Sequence, residues 1–147
     1  MYDYILKGTV IDGIHETPIE NGLVAISGNT IAYVGTAEGF EIPEGTTVVE
    51  GKTILPGFID VHCHGAYEFD TNYAEEEGLR NWSKNIVSEG VTAFLATTIT
   101  QSEEVLTKAV ANVAKVMEDG YEGAEILGVH FEGPYLDMKY KGAQPEE

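Results

Sequence analysis

The chain has 147 residues, 43% of them hydrophobic, enough for one compact domain or a small domain with part of another. Eight Lys and Arg against 25 Asp and Glu leave a net charge of -17, a surface that repels nucleic acid and anionic membrane and excludes both as partners. The single cysteine, Cys63, rules out an intramolecular disulfide framework, and no leader-like or bilayer-length apolar run is present, so a soluble, cytoplasmic protein is expected.

Residues 1–55 read as β structure and form the first expected domain. The runs YDYILKGTVI, GLVAIS and TIAYVG are three strands. Between the last two, Gly28-Asn29 is a two-residue hairpin signal, since such pairs reach positive φ at little cost. TTVVEGKTILPG adds a fourth β segment and stops at the Pro56-Gly57 break. His15 lies in a polar connection and carries no functional expectation.

From residue 56 the pattern changes. GFIDVH is a short, mostly apolar strand. EEEGLRNWSKNIVSEG is a helix with acidic residues in its first turn and Gly90 past its end, which suits the helix dipole and the C-terminal cap. VTAFLATT is a second strand. SEEVLTKAVANVAKVMEDG is a second helix, with Ser102 as N-cap and an apolar stripe through Leu106, Ala109, Val110 and Val113. AEILGVHFEGP is a third strand. Alternating strands and helices, with nearly continuous apolar strands, predict a parallel sheet covered on its faces. Three strands leave two open edges and little core, so residues 56–147 are expected to be part of a larger domain in a longer protein.

The candidate chemistry sits at strand ends. In FIDVHCHGAY, strand alternation puts His62 and His64 on one face and Cys63 on the other. Both histidines precede Gly65 at the C-terminal end of the strand, where parallel α/β sheets build sites. Two imidazoles so spaced can reach one cation at about 2.0–2.1 Å per nitrogen, serve two cations, or stand as half-buried, hydrogen-bonded histidines. Glu132, ending VHFEGP, occupies the matching end of the third strand. A carboxylate buried there is costly unless paired or metal-bound, and a cation at the histidines would offset that cost; the other reading is a surface carboxylate past the strand end. The expected centre is therefore His62, His64 and Glu132, projecting from two neighbouring β segments. His130 shares a face with Glu132 and is read as a packing or supporting histidine. Asp60 shares the face of the histidine pair and either orients a ligand or finishes the strand. Cys63 is read as a small buried apolar residue.

The segments LPGFIDVHCHG, GVTAFLATTIT and GVHFEGPYLDMKYKGAQPEE, in this order and spacing, resemble the N-acetylglucosamine-6-phosphate deacetylase family of the amidohydrolase superfamily. The His-x-His after Pro-Gly-x-x-Asp is shared across the superfamily, whereas HFEGPYL followed by KGA is far more specific to the deacetylases. The resemblance covers essentially the whole chain. It implies an α/β fold: residues 1–55 as part of a small β-sandwich, then residues 56–147 as the first three units of a TIM-type (β/α)8 barrel. The implied reaction is metal-dependent hydrolysis of the N-acetyl group of N-acetylglucosamine 6-phosphate, giving glucosamine 6-phosphate and acetate. The full-length enzyme would be a homodimer using one or two divalent ions, zinc or iron.

By position, Glu132 matches the family's metal-binding glutamate, and His62 and His64 match the histidine pair of its two-metal members. Ala143 matches a position whose backbone contacts the sugar. Gln144 stands where many members have histidine and others glutamine; it can hydrogen-bond substrate but cannot titrate. The family's acid–base Asp and two further ligand histidines would lie beyond this sequence. No catalytic residue is therefore expected within it, and the 147-residue chain alone is expected to be inactive. Lys139 and Lys141 are read as solvated and outside the site. The acidic balance sits awkwardly with a phosphorylated substrate, because an anion site needs local positive charge. Two alternatives stand beside this reading. One is another amidohydrolase acting on a cyclic amide or a base, which should lack EGPYL and KGA. The other is a non-catalytic module that kept the ligands and lost the chemistry.

Overall fold

A computed structural model of the chain describes residues 2–146. They divide between Pro56 and Gly57 into two compact units. The first unit is one sheet of four strands: β1 (Tyr4–Val10), β2 (Ile19–Ser27), β3 (Thr30–Thr36) and β4 (Thr47–Ile54), in the order β3-β2-β1-β4. Its hairpins pair antiparallel, and β4 adds to β1 in parallel. The β2–β3 turn takes its positive φ at Gly28, 58°, as the Gly-Asn pair predicts. Ile5, Leu23 and Ala25 are buried, with Tyr33 and Phe40 packed against them. In the β1–β2 connection, the Asp12 carboxylate accepts the Ile14 and His15 N–H groups and pairs with His15 Nδ1 at 2.8 Å. His15 thus belongs to a turn.

The second unit alternates β5 (Phe58–Cys63), α1 (Glu76–Ile86), β6 (Val91–Thr98), α2 (Glu103–Asp119) and β7 (Glu125–Phe131). All pairing is parallel and the order is β5-β6-β7. After α1 a 3-10 turn ends at Gly90, φ 82°, in the left-handed region a glycine cap reaches freely. Ser102 caps α2 by accepting the Val105 N–H. The apolar stripes of both helices bury against the sheet: Leu79, Trp82 and Ile86 from α1, Val113 and Val116 from α2, Phe94 from β6 and Ile126 from β7. The Trp82 and Phe94 rings lie 4.2 Å apart. No helix among the described residues is long and apolar enough to cross a membrane.

Two expectations are corrected here. The sheet is not covered throughout: Phe58, Ile59 and Val61 of β5 are 59%, 62% and 57% exposed, because β5 is an edge strand and the helical core gathers over β6 and β7. The strands bearing the histidines and the glutamate are not neighbours either, since β6 runs between them.

The connection leaving β5 is pinned to the strand ends. The Thr71 N–H and hydroxyl both donate to the His64 carbonyl, at 2.8 and 2.9 Å. The Asn72 amide donates to the Ile99 carbonyl and accepts the Ile99 N–H, so a side chain stands in for a strand partner. Gly65 is required by close approach, because a Cβ there would meet the Phe69 carbonyl oxygen at 2.0 Å. Gly65→Ala is expected to destabilise the chain by about 1–3 kcal/mol, as overpacking does. Equilibrium urea unfolding checks this, and an unchanged midpoint contradicts it.

Candidate metal centre

His62 lies on β5, His64 just beyond it, and Glu132 just beyond β7. The outer strands of a three-stranded sheet are about 10 Å apart, so only side chains can close that gap. They do close it. Glu132 Oε2 is 3.1 Å from His62 Nε2 and 3.0 Å from His64 Nε2, and one donor atom from each residue lies within 4.8 Å of the others. His62 is exposed and His64 and Glu132 are half-buried, so all three are reachable from solvent.

Local backbone helps to aim them. The β5–β6 register slips between Asp60 and Cys63, so strict alternation does not run through the stretch bearing the histidines. Asp60 supports the slip, its carboxylate accepting the His62 N–H at 3.0 Å. Cys63 packs against the helical core and its Sγ donates to the Gly65 carbonyl at 3.7 Å, in keeping with a small apolar role.

The trio suits a cation by donor chemistry and by spacing. Ligands held tetrahedrally at 2.0–2.1 Å from an ion lie about 3.3 Å from one another, close to the separations on either side of Glu132 Oε2. Two imidazole nitrogens and a carboxylate oxygen are accepted by several divalent ions. His64 Nδ1 is buried with no hydrogen-bond partner among the described residues, so the polar contact of this ring is made through Nε2. The Glu132 carboxyl is held below its ordinary range, chiefly by the hydrogen bond from His62, then by the charges of His62 and His64 and a hydrogen bond from the Gln144 amide, with desolvation opposing.

The remaining candidates fall into place around the trio. His130 is not one of the three donors; its ring stands edge-on to His62 at 4.7 Å, and its Nδ1 is 3.3 Å from the Thr97 hydroxyl. Gln144 is 7% exposed, its Oε1 accepting the Thr100 N–H at 2.9 Å. Ala143 is exposed. The Lys141 ammonium bonds the Gln144 carbonyl at 2.8 Å, and Lys139 stacks over the Tyr140 ring. Sequence reasoning missed the bond from the Thr100 N–H to Gln144 and the part played by Thr97. A threonine inside an apolar strand run gives no outward sign of either partner.

The sequence pattern of the amidohydrolase family matches residues 53–147. The chain belongs to the amidohydrolase family. It is similar to the N-acetylglucosamine-6-phosphate deacetylase of Bacillus subtilis (strain 168), 39% identical over 133 residues, which cover 88% of this chain and 34% of that protein. Among solved structures, the N-acetylglucosamine-6-phosphate deacetylase from Pasteurella multocida matches with a TM-score of 0.82 at 24% identity, over 97% of this chain and 37% of that one. The deacetylase from Mycobacterium smegmatis matches with a TM-score of 0.77 at 26% identity, over 95% and 38%. This amidohydrolase chain therefore spans about a third of the length of the relatives it matches. The α/β arrangement expected from the sequence is shared with these deacetylase structures.

A carboxyl depressed in the folded state adds stability above its unfolded pKa, near 4.5, and that stability is lost as pH falls through the folded value. In the metal-free chain, the carbon-13 signal of the Glu132 carboxyl is expected to titrate below 4.5 and to move back up in His62→Ala. A midpoint at or above 4.5, indifferent to His62→Ala, contradicts the pairing.

Proposed function

We propose that the second unit supplies the first three units of a (β/α)8 metal-dependent hydrolase, with the first unit part of a β-sandwich. In the longer protein, the centre would hydrolyse the N-acetyl group of N-acetylglucosamine 6-phosphate to glucosamine 6-phosphate and acetate. The observation that carries this reading is the convergence of two imidazole Nε2 atoms on one oxygen of Glu132 across an intervening strand. The likeness to named deacetylases supplies the substrate.

His62 and His64 would offer neutral imidazole nitrogens, and Glu132 an anionic oxygen, to a divalent cation, with zinc and iron both suited to that set. A cation bound there supplies Lewis acidity toward an amide carbonyl and a hydroxide nucleophile near neutral pH. The chain's own part is to hold three donors together and to keep Glu132 ionised. With a divalent cation bound, two neutral rings and a single carboxylate would leave one net positive charge at the centre of a very acidic chain, which eases the approach of an anionic sugar. The exposed backbone at Ala143 and the second amide hydrogen of Gln144 are proposed as sugar contacts. The departing amine needs a proton from a general acid. That acid is proposed to lie outside these 147 residues.

Two measurements test the reading. In the full-length protein, His62→Ala and Glu132→Ala are expected to weaken metal retention by about 100-fold or more, measured by elemental analysis after dialysis, with acetate release falling in parallel. Full metal content in both variants refutes the centre. The 147-residue chain by itself is expected to release no acetate above a metal-only blank, and release above it refutes the placement of the general acid.

A further inference from the structure

We infer that Thr97 is a positioning residue for the cation centre, its hydroxyl locking the histidine strand and the glutamate strand to the strand between them. The inference rests on the centre proposed above. Thr97 lies on β6 and is fully buried. Its Oγ1 accepts the N–H of Cys63, the residue between His62 and His64, at 3.0 Å, and lies 3.3 Å from Nδ1 of His130, two residues before Glu132. The same oxygen is 3.3 Å from the Leu95 carbonyl.

A hydroxyl has one hydrogen and two lone pairs, and the Cys63 N–H takes one lone pair. The hydrogen then goes either to His130 Nδ1 or to the Leu95 carbonyl; in the second case His130 donates into the remaining lone pair. Both arrangements join β5, β6 and β7 through one oxygen. The bond to Cys63 matters because it falls where the β5–β6 register slips and the ladder is irregular. At that point a side chain, not a carbonyl, receives the N–H between the two ligands. On the other side, Thr97 sets the orientation of His130, whose ring stands edge-on to His62 at 71° and limits its rotation. Strand formation alone does not call for the hydroxyl, since valine is equally β-branched and as well suited to a strand.

The test is zinc affinity of the full-length protein by competition with a chromophoric chelator, alongside the visible spectrum of the cobalt(II)-loaded protein. Thr97→Val is expected to weaken zinc binding about 10-fold or more and to shift the cobalt bands, whereas Thr97→Ser stays within about 2-fold of wild type. Should Thr97→Val fail to fold, His130→Phe decides, since it leaves the Cys63 bond intact and removes the Nδ1 contact; weakened zinc binding supports the inference. Wild-type affinity and superimposable cobalt spectra in whichever of these variants folds overturn it and leave the centre standing. No zinc binding by the wild-type full-length protein overturns the centre and this inference together.

Discussion

Everything at the candidate centre depends on parallel pairing across β6. Because β5 and β7 run the same way on either side of it, their C-terminal ends finish at one edge of the sheet, about 10 Å apart. Two imidazoles from one end and a carboxylate from the other span that distance and meet at a single oxygen. An antiparallel arrangement would send one of these ends to the far side of the sheet. The helices α1 and α2 make the parallel arrangement possible, since each returns the chain to begin the next strand from the same side, and each is held by its own apolar stripe.

The loops complete what the strands begin. Thr71 grips the carbonyl of His64, Asn72 pairs with the peptide of Ile99, and Gln144 accepts the Thr100 N–H. Gly133 follows Glu132 and packs so closely on Thr100 that a Cβ there would meet its hydroxyl at 2.1 Å. The segments after β5, β6 and β7 are thus tied to one another by bonds that cross from strand end to strand end. A cation centre gains from such ties, because ligands fixed in advance lose less freedom on binding.

Charge is distributed to the same effect. In α1 and α2, the basic side chains are paired with acidic neighbours: Arg80 with Glu76 and Asp119, Lys84 with Glu122, Lys108 with Glu104, and Lys115 with Asp119. Exposed pairs of this kind contribute little stability. Among the described residues, the Glu132 carboxylate is matched by His62 and His64.

The order of strands and helices was legible in the sequence, as were the hairpin at Gly28, the caps at Ser102 and Gly90, and the placing of His62, His64 and Glu132 at strand ends. Each of these depends on residues within a few positions of one another, where side-chain period, turn chemistry and capping act. The tertiary structure alone decided that β6 separates the two ligand-bearing strands, that β5 slips register beside its histidines, and that Thr97 bonds to the strands on both sides of it. Those features join residues 33 to 70 positions apart, from Thr97 to His130 and from His62 to Glu132, and such distant partners leave no periodic trace in the chain. They come into being only when the strands pair, because only then do a buried hydroxyl and a buried amide need partners and find them on the strands and loops beside them.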